Sequence, residues 1–221
     1  DILTIANNSF ENLSGDTGAH GTVLHLSQSH FTEAVFKNNL VSSCTNQKGF
    51  DYIEVIQSGT FADFAFQNNR IAGSSANPNG RVLHFSQSDF DGPLRVNNND
   101  MSYVHGAIYV SQTYWTRDGL EMTNNTVIGG KVAGSNTGVN LSFSKEYAPR
   151  FYRNYIHGFG IGLYVSGRFS NAISNNVFVD NTEKGVYFIT AGSFSDIPTF
   201  SNNVILGSKI GVYGISLYSG Y

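Results

Sequence analysis

Short segments in which apolar and polar residues alternate run along the whole chain, and Asn or Gly residues separate them. One pattern, apolar-x-Asn-Asn-x-apolar, first occurs as Ile5-Ala6-Asn7-Asn8-Ser9-Phe10 and then recurs throughout the sequence. Its second Asn is present at every occurrence: Asn8, Asn39, Asn69, Asn99, Asn125, Asn154, Asn176 and Asn203. Neighbouring members of this series are 22 to 31 residues apart, a spacing typical of solenoids built from repeated units.

Two further features recur in the same phase. The first is a short alternating strand, often led by Gly, such as Leu24-His25-Leu26-Ser27 or Ile108-Tyr109-Val110-Ser111. The second is an aromatic residue shortly after that strand: Phe31, Phe61, Phe90, Trp115, Tyr147, Phe169 and Phe194. Each period therefore predicts three short strands, because β-branched and aromatic runs bounded by Asn and Gly are typical of strands.

The repeat predicts the fold. A unit of three short strands cannot bury its own apolar face, whereas stacked units form a continuous core. We therefore expect an all-β chain, a right-handed parallel β-helix of about seven to eight turns with three strands per turn. The handedness follows from the general rule for parallel crossovers. Residues 1–221 are predicted to form a single domain, either a segment of a longer chain or a subunit stacked end to end.

The recurring Asn has a structural role in this prediction. Asn tolerates the left-handed bend between two strands. Equivalent amides in successive turns can also hydrogen-bond to one another as a ladder. The aromatic column is expected to stack inside the solenoid, where ring pairs contribute about 0.5–1.5 kcal/mol beyond their burial.

Several Phe–Asn pairs have the same internal spacing: Phe36-x-x-Asn39, Phe66-x-x-Asn69, Phe151-x-x-Asn154, Phe178-x-x-Asn181 and Phe200-x-x-Asn203. This phase resembles the FxxN repeats of polymorphic outer membrane proteins. The partner GGA[ILV] motif of that family occurs here only as His105-Gly106-Ala107-Ile108. More broadly, the chain resembles pectate-lyase-like right-handed parallel β-helix proteins. The first resemblance implies a surface-exposed adhesive passenger.

Composition and charge narrow the range of partners. The 221 residues carry a formal net charge of −3, with 40% hydrophobic and 13% charged residues. Such a chain is too apolar for disorder, and it lacks the basic surface of a nucleic-acid binder. It also has no apolar run of about 18 residues. We therefore expect no nucleic-acid partner and no membrane insertion by this segment.

The outward positions of the Gly-led strand give a candidate ligand-binding column. Aligning the repeats places His25, Glu54, His84, Tyr109, Ser142 and Tyr164 in one row, with neighbours about 4.8 Å apart. A His–Glu–His row offers transition-metal ligands, and Tyr109 and Tyr164 could stack against sugars. The row is also compatible with an ordinary solvated strand face. Because three ligands on a rigid face converge poorly on one ion, no metal is expected.

Acidic residues near the Asn pairs give a candidate catalytic set. Glu33, Asp63, Asp91 and Asp118 align roughly, and Arg117 lies beside Asp118. Hydrolases use paired carboxylates with split pKa values, whereas lyases use a carboxylate-bound cation and a base. Asp63, Asp91, Arg117 and Asp118 fit either chemistry in residue type, and they also fit scattered solvated charges. No cofactor is expected, except Ca²⁺ if the protein is a lyase.

The sequence favours a structural role over an enzymatic one. The leading hypothesis is an extracellular or cell-surface β-helix module that is adhesive or filament-forming and that binds glycans or other copies of itself. Sequons such as Asn12-Leu13-Ser14 are compatible with an extracellular protein. The alternative hypothesis is a polysaccharide lyase or glycoside hydrolase that acts in a groove on the β-helix face.

Overall fold

The protein is a stack of β-strands in which every strand lies beside its counterpart one coil away. The computed structural model describes residues 1–14, 21–44, 50–58, 61–73, 80–115, 119–130, 136–143, 150–167, 172–190 and 199–216. Over these residues the strands form three sheets, and every strand pairing is parallel. The same part of the chain contains no helix that is long and apolar enough to cross a membrane.

Each coil contributes one strand to each sheet. The first sheet contains β1 (Ile2–Ala6), β4 (Glu33–Lys37), β7 (Asp63–Gln67), β11 (Leu94–Asn97), β14 (Leu120–Thr123), β17 (Arg150–Tyr152), β20 (Ile173–Ser174) and β23 (Phe200–Ser201). The second contains β2 (Ser9–Glu11), β5 (Leu40–Ser42), β8 (Arg70–Ala72), β12 (Asp100–Val104), β15 (Thr126–Gly129), β18 (Tyr155–His157), β21 (Val177–Val179) and β24 (Val204–Leu206). The third contains β3 (Gly21–Ser27), β6 (Phe50–Ile56), β9 (Arg81–Ser86), β13 (Gly106–Trp115), β16 (Thr137–Phe143), β19 (Ile161–Ser166), β22 (Lys184–Thr190) and β25 (Ile210–Ser216), and β10 (Asp89–Phe90) pairs with β13. The predicted fold class, an all-β parallel β-helix with three strands per turn, is confirmed.

The corner between the first and second sheets is built by the Asn pair. The first residue of the pair has a positive φ, for example 56° at Asn38 and 58° at Asn98. This left-handed conformation is one that Asn tolerates better than most residues. Arg153 occupies the same corner, with φ 57°, in the repeat that lacks the first Asn.

The second Asn of each pair forms the predicted ladder. From Asn8 to Asn176, each side-chain Nδ2 donates to the Oδ1 of the Asn one coil further on, at 2.9–3.2 Å. The same Oδ1 also accepts the backbone N–H of the Asn one coil earlier, at 2.8–3.1 Å. Asn39, Asn69, Asn99 and their equivalents up to Asn176 are buried, so the ladder pairs polar groups that water does not reach.

Aromatic side chains fill part of the interior. The rings of Phe31 and Phe61 stack with centroids 6.1 Å apart, and the rings of Phe61 and Phe90 lie 5.3 Å apart. Phe61 and Phe90 are fully buried. This part of the predicted aromatic column is therefore confirmed. Its continuation, the side chain of Trp115 together with Tyr147, Phe169 and Phe194, lies outside the described residues.

The strands of the third sheet depart from simple alternation. Six of them have two consecutive buried residues followed by a less buried one: Tyr52-Ile53, Val82-Leu83, Ala107-Ile108, Gly138-Val139, Gly162-Leu163 and Gly185-Val186. The residue before the pair is also less buried in four of the six strands, whereas Asp51 and Gly106 are buried. The first inward position is tight, since a Cβ at Gly138 would lie 2.8 Å from the backbone oxygen of Gly162. As a consequence, residues three apart on one strand, such as Arg81 and His84, both lie outside the buried pair.

Candidate ligand-binding face

The strand register defines a continuous outer column on the third sheet. It pairs His25 with Glu54, Glu54 with His84 and His84 with Tyr109, as the sequence predicts. Beyond Tyr109 the register pairs Asn140, not Ser142, with both Tyr109 and Tyr164. We name as the outer column His25, Glu54, His84, Tyr109, Asn140, Tyr164, Tyr187 and Tyr213.

A second row, three residues earlier on each strand, runs beside the outer column. Its register follows from the pairs Thr22–Asp51, Arg81–Gly106 and Thr137–Ile161. We name as the flanking column Thr22, Asp51, Arg81, Gly106, Thr137, Ile161, Lys184 and Ile210. Side chains of the two columns meet because the strand carries two inward residues between them.

An acid–histidine cluster occupies the first coils of this face. His25 Nδ1 lies 2.8 Å from Glu54 Oε2, and His84 Nδ1 lies 3.4 Å from Glu54 Oε1. Asp51 of the flanking column is buried, with 3% of its surface exposed. It places Oδ2 3.0 Å from His84 Nδ1 and accepts the backbone N–H of Arg81 at 2.9 Å.

These contacts shift the pKa values of two groups in the cluster. The hydrogen bond from His84, reinforced by the bond to His25, lowers the pKa of Glu54 to about 2 against the opposing effect of burial. Burial by itself lowers the pKa of His84, but its hydrogen bonds to Asp51 and Glu54 outweigh burial and raise the pKa overall. The pair therefore favours a carboxylate beside an imidazolium.

The same cluster has metal-ligand spacing. Three possible ligand atoms, one from each of Asp51, Glu54 and His84, lie within 4.8 Å of one another. Two carboxylates and one imidazole suit a divalent ion such as Zn²⁺ or Mn²⁺. The sequence hypothesis considered His25, Glu54 and His84 as the ligands, and Asp51 was missed. His84 already bridges both carboxylates, so the cluster satisfies itself through hydrogen bonds.

A small cavity lies next to the cluster. It has a volume of about 160 Å³ and is lined by Arg81, His105, Gly106, Ile108, Tyr109, Asn136, Thr137 and Asn140. The Arg81 guanidinium carbon lies 4.3 Å from the centre of the Tyr109 ring. Burial and the nearby Arg81 charge lower the pKa of His105, so its ring is neutral at pH 7.

Tyrosines dominate the later coils of the outer column. The rings of Tyr164 and Tyr187 have centroids 5.3 Å apart, and so do the rings of Tyr187 and Tyr213. Lys184 of the flanking column lies over this row, with Nζ 4.9 Å from the Tyr187 ring and 5.6 Å from the Tyr213 ring. Aromatic faces, a cation and amide groups are therefore available on one surface.

The candidate catalytic residues are only partly placed by the structure. Asp63 pairs in register with Glu33 and forms an ion pair with Arg95. Asp91 is exposed and lies outside this column, because the register pairs Phe64 with Leu94 and so places Asp91 before the column position. Arg117 and Asp118 lie outside the described residues. Catalysis by this set, with or without Ca²⁺, stays a prediction.

Sequence reasoning missed the flanking column because it assumed strict alternation along each strand. Alternation assigns Asp51 and Arg81 to the interior, since each is three residues from an outward position. The signal that could have found them is the pair of consecutive small or apolar residues in each Gly-led strand, such as Val82-Leu83 or Gly185-Val186. His105 and Asn136 precede these strands and carried no repeating signal.

A stack of parallel three-strand coils with one chemically distinct outer face defines a parallel β-helix protein. Residues 53–221 match the family described as the right-handed β-helix region, and the chain belongs to that family. The predicted resemblance to pectate-lyase-like right-handed β-helix proteins is thereby confirmed at the level of fold. Searches of curated proteins and of solved structures found no match.

Proposed function

We propose that this β-helix is a structural, adhesive module of the cell surface or extracellular space that binds glycans on the outer face of its third sheet. The observation that carries the proposal is the outer column. Four of its eight members are tyrosines, the others are two histidines, a glutamate and an asparagine, and none of the eight is buried.

The tyrosine part of the column suits the apolar faces of sugar rings. Tyr164, Tyr187 and Tyr213 stand on neighbouring strands with ring centroids 5.3 Å apart. Each presents an apolar ring with a polar tip, which is the combination that lets aromatic residues bind ligands that are partly apolar and partly hydroxylated. Because the tyrosines lie on strands of a rigid sheet, their spacing is fixed before a ligand arrives.

The polar part of the column suits sugar hydroxyls. Glu54 offers acceptors, Asn140 offers both a donor and an acceptor, and His25 is half exposed. A few convergent polar groups beside an apolar platform are typical of ligand-binding surfaces. The row continues over eight strands of the sheet, so the geometry favours an extended chain of sugars over a single monosaccharide.

A glycan array followed by titration calorimetry tests the proposal. The double variant Tyr164→Ala/Tyr187→Ala is expected to raise the Kd of a glycan identified on the array at least tenfold, which corresponds to about 1.4 kcal/mol. Tyr155→Ala is the matched control, since Tyr155 is also exposed, at 37%, but lies in β18 of the second sheet. Equal losses in the double variant and the control, or no glycan bound by the wild type, would refute the proposal. Association with further copies of the chain stays a prediction from the sequence.

A further inference from the structure

We propose that the cavity between Arg81, His105 and Asn136 is a subsite for an oxyanion, a carboxylate or sulfate group carried by the glycan on the outer column. This inference rests on the proposed function and names the class of glycan, an acidic one.

Two polar atoms at the cavity have no hydrogen-bond partner among the described residues. They are Nδ2 of Asn136 and Nδ1 of His105, and both residues line the cavity. Asn136 is only 4% exposed. Its Oδ1 accepts the backbone N–H of Gly160 at 2.9 Å, which fixes the amide orientation and leaves Nδ2 as the free donor. A buried donor without a partner costs about 1–3 kcal/mol. A ligand that accepts a hydrogen bond from Nδ2 removes this cost, which increases its affinity.

The charge at the cavity selects a negative partner. Arg81 takes part in none of the ion pairs found among the described residues. Its guanidinium is held against the Tyr109 ring, and none of the residues that line the cavity is acidic. Asp51, which precedes Arg81 in the flanking column, is hydrogen-bonded to His84 and to the backbone N–H of Arg81. A guanidinium beside an amide donor, with an imidazole nitrogen that can also carry a proton, is an arrangement that binds oxyanions.

Gly106 forms part of the wall of the cavity, beside Arg81 in the strand register. A Cβ at Gly106 would lie 2.9 Å from the backbone oxygen of Thr137, so a larger residue would disturb this wall. The cavity reaches the outer column at Tyr109 and Asn140. A sugar that lies beside Tyr109 and Asn140 can therefore place an acidic substituent next to Arg81, and a volume of about 160 Å³ suits one such group.

Small sugars test the subsite directly. We would titrate the protein with galacturonate, galactose 6-sulfate and galactose and follow the binding by NMR. The wild type is expected to bind at least one of the two acidic sugars at least tenfold more tightly than galactose. Whichever acidic sugar binds identifies the group, carboxylate or sulfate. Equal binding of all three sugars would overturn the subsite.

The variant Asn136→Asp is the sharpest probe. It keeps the acceptor for Gly160, removes the free donor and adds a negative charge, so acidic-sugar affinity is expected to fall at least tenfold while galactose binding is unchanged. Arg81→Gln is a second variant with the same expected result in case Asn136→Asp does not fold. Arg70→Gln is the matched control, because Arg70 is an exposed arginine in β8 of the second sheet, away from the cavity. Wild-type affinity in both probe variants, or an equal loss in Arg70→Gln, would overturn the subsite.

The two proposals can fail separately. Array glycans that bind through Tyr164 and Tyr187 without any preference for acidic sugars would leave the proposed function standing and remove the subsite. Acidic monosaccharides that bind in an Asn136-dependent manner, with no glycan retained on the array, would support the oxyanion subsite and remove the proposed function.

Discussion

At the scale of single residues, the two members of each Asn pair have different tasks. The first has a left-handed backbone and is exposed, as at Asn68 and Asn98. The second is buried and hydrogen-bonds to its counterparts one coil before and one coil after it, as Asn99 does with Asn69 and Asn125. The two positions therefore respond differently to substitution, because one depends on backbone conformation and the other on buried hydrogen bonds.

Arg153 offers a test of the corner position. It has φ 57° without being Asn or Gly, a conformation that costs most L-residues about 1–2 kcal/mol and Asn less. Arg153→Asn is therefore expected to increase the free energy of unfolding by about 0.5–1 kcal/mol, measured by chemical denaturation. Arg150→Asn, on the extended strand β17, should give no gain. A gain of the same size at both positions would contradict the explanation.

Asn125 tests the ladder position. Its amide donates to Asn154 and to the Val96 carbonyl, and its Oδ1 accepts two bonds from Asn99. Asn125→Ala leaves several buried groups without partners, so we expect a loss of about 3 kcal/mol in the free energy of unfolding. Asn124→Gly, at the exposed corner beside it, should change stability by only a few tenths of a kcal/mol. Similar effects of the two substitutions would mean that the ladder contributes little.

At the scale of elements, the fold could be predicted but part of the face could not. The period and the Asn pairs were sufficient to predict parallel coils, because the same pattern of apolar and polar positions recurs in every coil. The exact register, that is, which residues of neighbouring strands pair, could not be predicted in the same way. A shift of two residues keeps every side chain on the same face, so alternation could not distinguish Ser142 from Asn140 as the neighbour of Tyr109. The strand register distinguishes them, because β13 and β16 pair Tyr109 with Asn140.

The acid–histidine cluster, which joins β3, β6 and β9, makes stability depend on pH. Glu54 has a pKa lowered from 4.5 to about 2, so its contribution is present above pH 4.5 and is lost as pH falls towards 2. His84 has a raised pKa, so its contribution is present below 6.5 and is lost as pH rises through the folded-state value. Both contributions are complete only between about pH 4.5 and 6.5.

Glu54→Gln measures that dependence. The variant is expected to be less stable than the wild type by about 1 kcal/mol between pH 4.5 and 6.5, and the difference should shrink at pH 9 and at pH 2. Denaturation curves across this range give the values. Glu121→Gln in β14 of the first sheet is the control and should show no such window. A stability difference for Glu54→Gln that does not vary with pH would contradict the proposed role of the cluster.

At the scale of the whole molecule, the free energy of unfolding is the sum of a contribution from each coil and a contribution from each interface between neighbouring coils. Each strand pairs only with the strands one coil before and one coil after it in its sheet, so a coil is stabilised mainly by its immediate neighbours. Burial of the apolar side chains also changes along the axis of the stack, from the middle coils to the last coil. Val96, Val110 and Val127 in the middle coils are fully buried, whereas Val204, Leu206 and Val212 are 46–57% exposed.

This gradient predicts how the 221-residue chain opens. Amide hydrogen exchange is expected to be slowest in β11 and β13 and fastest in β24 and β25, because a coil with one neighbour opens at lower free energy than a coil with two. Asn176→Ala breaks the ladder between Asn154 and Asn203 and should accelerate exchange in β24 and β25 while leaving β11 nearly unchanged. Asn175→Gly, at the exposed corner beside it, is the control and should alter neither region. If Asn176→Ala instead accelerated exchange equally in all strands, the solenoid would be a single cooperative unit and nearest-neighbour coupling would not describe it.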